Sequence, residues 1–178
     1  MDSIDQLQEE ENRKDLNGAE AIKQIKEMAE DAKTCFLCTN TTNGGSIGTR
    51  PMTVQKVDEE GNLWFLSAND SHTNTDISRD SSVQLYFQGS PFAGFLHLTG
   101  QASISDDRTK IEEFWSPMLK TWFTGGIDDP RISVIKVTPE DGYYWDNKHG
   151  QAVAFVKIIV GALTGRTMDD SITGKIAP

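Results

Sequence analysis

Gly48 to Phe87 reads GTRPMTVQKV, DEEGN, LWFLSA, NDSHTNTDISRD and SSVQLYF in succession. Arg50 to Val57 alternates as a half-buried strand does, with Met52 and Val54 among its apolar positions. Asp58-Glu59-Glu60-Gly61-Asn62 is turn chemistry, Gly61 being able to take the positive φ that a hairpin needs. Leu63 to Ser67 is an apolar, aromatic return strand, Ser71 and Thr73 open a short helix, and Val83 to Phe87 forms a third strand. The pattern is a hairpin whose second strand feeds a helix N-terminus, with Arg50 at the head of the first. Amide N–H groups, hydroxyls and one nearby cation make such a corner suited to a phosphate.

Outward from this stretch the elements stay short. Ala19 to Ala32 carries Ile22, Ile25, Met28, Ala29 and Ala32 on one helical face. Thr34 to Thr39 predicts a strand and Asn40 to Gly48 a loop. Phe95 to Ile104 alternates as a long strand with one polar face. Asp106-Asp107 caps a helix over Arg108 to Trp115 that ends at Ser116-Pro117. Met118 to Phe123 is aromatic, and Thr124 to Pro130 is a loop. Ile132 to Thr138 and Tyr143 to Asp146 predict two further strands, and Gln151 to Leu163 a helix. Residues 1–17 read as a flexible, charged N-terminal arm, 18–165 as the domain, and 166–178 as a loosely packed C-terminal tail. Six or seven hairpin-linked strands with few helices between them argue a mostly β fold: an antiparallel β-barrel with flanking helices.

The chain has 178 residues, enough for one domain with a real core, and a formal net charge of −10. Such acidity repels the nucleic-acid backbone, so any bound phosphate needs a local positive site. No apolar run approaches the roughly 20 residues of a membrane-spanning helix, and the opening MDSIDQLQEEENRKD is the opposite of a secretion signal. The expected location is the cytoplasm. Cys35 and Cys38 form a lone C-x-x-C, which suits a redox dithiol or half a zinc site. Here it lies in an extended apolar run with no second Cys/His pair, and reads as two buried thiols and no metal site. No Ser-His-Asp order, zinc-protease motif, phosphate-loop lysine or dinucleotide fingerprint is present. His72, His97 and His149 share no ligand spacing, and the pairs Glu112-Glu113 and Asp128-Asp129 read as solvated.

Aromatic residues make up only 8% of the chain, yet Trp115, Trp122, Phe123, Tyr143, Tyr144 and Trp145 crowd its second half. Core packing accounts for part of this set. The remainder suits the wall of a flat conjugated ligand. A flat ring with a phosphate handle outlines flavin mononucleotide, FMN.

The succession TRPM, GNLWFLS, DSHTNTDI, VQLYF, KIEEFWSP, WFTGGIDDP and YYWD resembles the general stress protein branch of the pyridoxamine 5′-phosphate oxidase-like family, over about Ile22 to Val160. The resemblance implies an FMN-binding split barrel of antiparallel Greek-key type that forms homodimers with two flavins at the interface. It places Arg50, Pro51, Met52 and Thr53 along the ring and ribityl chain, with Phe65, Leu66 and Ser67 opposite. Ser71, His72, Thr73 and Asn74 fall at the phosphate end, and Trp115, Trp122 and Trp145 where the site closes, partly from the second subunit. At Thr73 the family usually carries lysine; Thr73 to Asp76 instead resembles a capping box. The implied function is a flavin-dependent oxidoreductase of stress-response type, using a nicotinamide donor, with no residue assigned as catalytic acid or base. Two alternatives stand beside it: a flavin-binding or sequestering module without turnover, and a cofactor-free interaction dimer.

Overall fold

The computed structural model describes residues 12–40, 48–89, 94–147 and 171–178. In chain order the elements are β1 (Leu16–Asn17), α1 (Ala19–Ala32), β2 (Thr34–Thr39), β3 (Gly48–Thr53), β4 (Lys56–Val57), β5 (Leu63–Ala68) and α2 (His72–Arg79). There follow β6 (Ser82–Gln88), β7 (Phe95–Ser105), α3 (Arg108–Phe114), two 3-10 turns (Pro117–Thr121 and Gly126–Asp128), β8 (Ile132–Asn147) and β9 (Ser171–Ala177). The helix expected over Gln151 to Leu163 lies outside the described residues.

The strands join one sheet in the order β1-β9-β8-β7-β6-β2-β3, with β5 pairing both β4 and β8. All these pairings are antiparallel except β1 with β9, so the sheet is mixed. The fold is mostly β, but the expected barrel is not formed among the described residues. The ladder breaks at Val54 and Gln55, which separate β3, paired to β2, from β4, paired to β5. The hairpin turn closes as its residues dictate. Gly61 has φ 83°, and the Asp58 carboxylate accepts from the backbone N–H groups of Glu60 and Asn62 at 3.0 and 2.9 Å and from the Trp64 indole at 2.9 Å.

β8 runs unbroken where two strands are expected. The break expected between Thr138 and Tyr143 is instead where β8 changes partners. Leu63–Ala68 of β5 pairs up to Val137, β9 takes over from Gly142, and β7 pairs across the changeover from Val134 to Trp145, with a register shift at Thr99/Gly100. Pro139, which has no N–H to donate, sits where neither β5 nor β9 needs one.

The main core holds Leu37, Val57, Leu63, Phe65, Leu85, Leu96, Leu98, Ile135 and Val137, and α1 adds Ala21, Ile25 and Ala29. Ile22 and Met28, expected on the same apolar face, lie at its half-buried margins. A second cluster of Ile111, Phe114, Phe123, Ile132 and Val134 packs under Trp64 and Leu66. β5 and the first half of β8 are therefore covered on both faces, which is why LWFLSA reads as a continuous apolar run.

Both chain ends are docked where they are described, which corrects the arm and tail boundaries. β1 pairs with β9 through Leu16↔Ile176 and Asn17↔Ala177, the Tyr144 hydroxyl donates to the Lys14 carbonyl at 2.7 Å, and Leu16 is buried. Residues 171–177 form a strand rather than a loose tail, because Ile176 enters the main core.

Candidate functional site

β3 and α2 bring Arg50 to the first turns of the helix. Ser71 is the N-cap, its Oγ accepting from the Asn74 N–H at 3.1 Å, so the helix start is satisfied two residues before the expected capping box. Asp76 serves another purpose. Its Oδ2 accepts from Arg50 Nη2 at 2.8 Å and from Thr39 Oγ1 at 2.9 Å. Burial pushes the Asp76 carboxyl up, but the Thr39 and Arg50 hydrogen bonds and the charges of Arg50 and His72 outweigh it and leave it below its ordinary value. Arg50, Thr39 and Asp76 thus form a closed set bridging β2, β3 and α2.

The expected site residues divide among several surroundings. Arg50 and Met52 share the inward face of β3 and are half-buried, whereas Pro51 and Thr53 are exposed on the other face. Phe65 is wholly enclosed in the main core, which removes its ring from any surface that a ligand reaches; Leu66 packs on the second cluster. Ser67, expected opposite the ring, instead meets Ser71 and Asn74, and Ser133 joins them. Ser67 Oγ lies 3.2 Å from Ser71 Oγ, Asn74 Nδ2 donates to Ser133 Oγ at 2.8 Å, and Ser133 Oγ donates to the Ser67 carbonyl at 2.9 Å. His72 is exposed, and Thr73, at 4% exposure, is turned into the protein instead of outward. The three tryptophans do not meet: Trp115 leans on the second cluster, Trp122 is exposed on the loop, and Trp145 stands on the outer face of β8. Phe123 and Tyr144 of the aromatic set are core residues.

A different aromatic surface emerges. On the outward face of β2, β6, β7 and the second half of β8, paired positions run Phe36, Tyr86, His97, Tyr143, with Phe95 and Trp145 paired beside them. Phe36, Tyr86, Phe95 and Trp145 are 44–55% exposed. The rings of Tyr86 and His97 stack at 4.5 Å, and those of Tyr143 and Trp145 lie 4.6 Å apart. Burial holds the His97 imidazole below its ordinary pKa against the opposing pull of Asp141, and its Nε2 is 3.2 Å from Gln84 Oε1. Phe36 and Tyr86 had a readable signal: each stands at an outward position between inward apolar neighbours.

Cys35 and Cys38 are free and buried, as expected. Burial drives the Cys35 thiol up to about 12, while Cys38 faces outward toward Thr49 at 3.4 Å. Asp129 is not solvated. It is buried, accepts from Arg131 Nε and Nη2 at 3.1 and 2.9 Å, and is held down to about 2 by those bonds and by the Arg131 and Gly125 N–H groups. Among the described residues no helix is long and apolar enough to cross a membrane.

The flavin that the resemblance implies fits this structure unevenly. The outward aromatic surface suits a flat conjugated ring. The phosphate end does not fit a charge-assisted grip, because the guanidinium of Arg50 is already taken by Asp76 and position 73 offers no charge.

Comparison with known proteins places the chain. Protein bli-3 of Neurospora crassa is 24% identical over 154 residues, covering 82% of this chain and 74% of that protein. A protein from Jannaschia sp. CCS1 described as general stress protein 26 shares the fold with a TM-score of 0.73 at 24% identity, over 90% of this chain and all of that one. The general stress FMN/FAD binding protein of Xanthomonas citri shares it with a TM-score of 0.60 at 22% identity, over 71% of this chain and 87% of that one. The family described as pyridoxamine 5′-phosphate oxidase like matches residues 20–169. With that match running from α1 through β8, the chain belongs to the pyridoxamine 5′-phosphate oxidase-like family.

Proposed function

We propose that this chain is a flavin-binding protein of the general stress type, FMN being the form its resemblance implies, and that it works as a cytoplasmic homodimer. The observation that carries the reading is the uncovered aromatic face. One half of the outer sheet surface is sealed by α3 and the 3-10 turns, while the other half leaves Phe36, Tyr86, Phe95 and Trp145 open to solvent. Monomeric proteins rarely leave such a contiguous surface bare, and a second copy together with a planar ligand would cover it. The Xanthomonas citri relative, described as binding FMN or FAD, supports the ligand class.

A bound flavin would supply hydride and electron transfer, with oxidoreductase activity as the proposed outcome. The residues of this chain would enclose the ring and exclude water. His97, stacked and held below its ordinary pKa, would present a neutral edge to that surface.

The absorption spectrum of the purified protein tests the reading directly. Oxidised-flavin bands, with about one flavin released per chain on heating, support it. A colourless protein that takes up neither riboflavin nor FMN refutes it. Reduction by a nicotinamide donor with turnover separates an oxidoreductase from a sequestering module. The Arg50–Asp76 pairing favours one second reading, a cofactor-free interaction dimer, which a colourless dimer would identify.

A further inference from the structure

The outward face that carries the exposed aromatic rings changes character two residues along each strand. Phe36 on β2 gives way to Cys38, Tyr86 on β6 to Gln84, His97 on β7 to Thr99 and Tyr143 on β8 to Asp141, and each row is paired across the sheet. The two rows lie about 7 Å apart, two residues of strand. A cleft of about 210 Å³ opens on the second row, with Cys38, Gln84, Thr99, Gln101 and Glu140 among its walls. Gln84 joins the rows: its Oε1 accepts from the Tyr86 hydroxyl at 2.7 Å and lies 3.2 Å from His97 Nε2.

Glu140 reaches the cleft because β8 bulges there. Thr99 pairs with Asp141 and Gly100 with Pro139, which leaves Glu140 as the extra residue, and a bulge of this kind re-aims a side chain. A Cβ on Gly100 would collide with the Thr138 carbonyl, which is why a glycine stands at this point of β7. The Glu140 carboxylate accepts from Gln101 Nε2 at 3.3 Å, and Gln101 Oε1 accepts from Ser81 Oγ at 2.8 Å.

The chemistry of these walls selects an occupant. Amides, a hydroxyl and a carboxylate exchange hydrogen bonds with hydroxyl groups, the carboxylate with charge assistance. No lysine or arginine stands among the described lining residues, so a phosphate would meet Glu140 uncompensated. At about 210 Å³ the cleft falls short of the roughly 300–1,000 Å³ of a whole-ligand pocket and suits one segment of a ligand. That segment is uncharged, rich in hydroxyls and joined to something that rests on the rings alongside.

We infer that this cleft holds the ribityl chain of the flavin, with Glu140 and Gln84 as its hydrogen-bonding residues, while the conjugated ring lies on the neighbouring aromatic row. This rests on the flavin reading above and adds to it the orientation of the ligand and the polar residues that hold it.

Lumiflavin carries a methyl group where riboflavin carries the ribityl chain, and the ring is the same. The test is a fluorescence titration of both flavins into the wild-type protein and into Glu140→Ala. Glu140 is exposed on its bulge, so its truncation leaves the core intact. Wild type is expected to bind riboflavin about tenfold more tightly than lumiflavin, the scale of one hydrogen bond to a charged group. Glu140→Ala is expected to remove most of that preference by weakening riboflavin at least about threefold, with lumiflavin unchanged. Gln84→Ala should likewise cost riboflavin more than lumiflavin. Wild-type affinities within about threefold of one another overturn the inference and leave the flavin reading intact. So does a Glu140→Ala protein in which both flavins weaken equally or neither changes. If neither flavin binds any of the proteins, the flavin reading fails and this inference falls with it.

Discussion

Phe36→Glu is the sharpest perturbation of the proposed dimer face. Phe36 sits on β2 between Pro51 of β3 and Tyr86 of β6, with its ring on the side away from Leu37 and the main core, and it is 55% exposed. A buried aromatic side chain covers on the order of 150–250 Å², so about half of that, roughly 100 Å², remains to be covered by a partner. At about 25 cal/mol per Å², one copy contributes about 2.5 kcal/mol. In a two-fold interface the residue occurs twice, so the substitution removes about 5 kcal/mol per dimer, before the cost of burying a carboxylate. The dissociation constant should rise by at least about a thousandfold. Because the side chain faces away from the core, the monomer's own fold should change by no more than about 0.5 kcal/mol. Sedimentation at graded concentrations reads the assembly, and circular dichroism checks the fold. An unchanged dimer affinity in Phe36→Glu would remove this face from the interface. A wild-type protein that stays at 19.7 kDa at every concentration would remove the dimer altogether.

Other outcomes follow from the packing. Asp58→Ala should lower the melting temperature by about 4–12 °C, since it leaves the Trp64 indole and the buried Asn62 without their acceptor at a cost of about 2–3 kcal/mol; thermal unfolding measures it. Deletion of residues 1–17 should also lower the melting temperature, by several degrees, because it removes buried Leu16 and the Lys14 carbonyl that Tyr144 donates to; an unchanged transition would show that β1 contributes nothing. Asp129 has a folded pKa of about 2, depressed below its ordinary value of 3.8, so its stabilisation is complete above that ordinary value and is lost as pH falls toward 2. Acid unfolding followed by fluorescence should therefore be shallower in Asp129→Asn, which has less to lose over that range.

The local features of this chain were open to reading and the long-range ones were not. The hairpin turn over Asp58 to Asn62, the helix over Ala19–Ala32 and the strand over Thr34–Thr39 are written in periodicity and turn chemistry, and the structure places them where those patterns do. The break expected between Thr138 and Tyr143 does not occur, because the neighbours on one edge of β8 change there while the strand itself continues. Only the sheet order, which joins strands far apart in sequence, supplies that information. The docked ends are illegible for the same reason: Leu16 looks like an isolated leucine in a charged arm until Ile176, 160 residues on, is beside it.

Arg50 shows why residue types alone do not settle what a charged corner is free to do. A cation at the head of a strand beside a helix start reads as a phosphate handle, and it stands in that position. What decides its availability is Asp76, an acid on the same helix face as Thr73 and Ile77, both buried. An acid on an inward-facing stripe must find a cation or be neutralised, and Arg50 is the cation that β3 supplies. That rule points to a pairing from the sequence alone, although it does not name the partner. The consequence is a division of labour within the site. The charged corner ties β2, β3 and α2 together on the inward side of β3, and a flavin bound as proposed would be held mainly by apolar contact with the outward aromatic face on the other side. Affinity built that way grows with the buried area of the ring and is only weakly sensitive to salt, whereas a phosphate-anchored flavin loses affinity as salt rises.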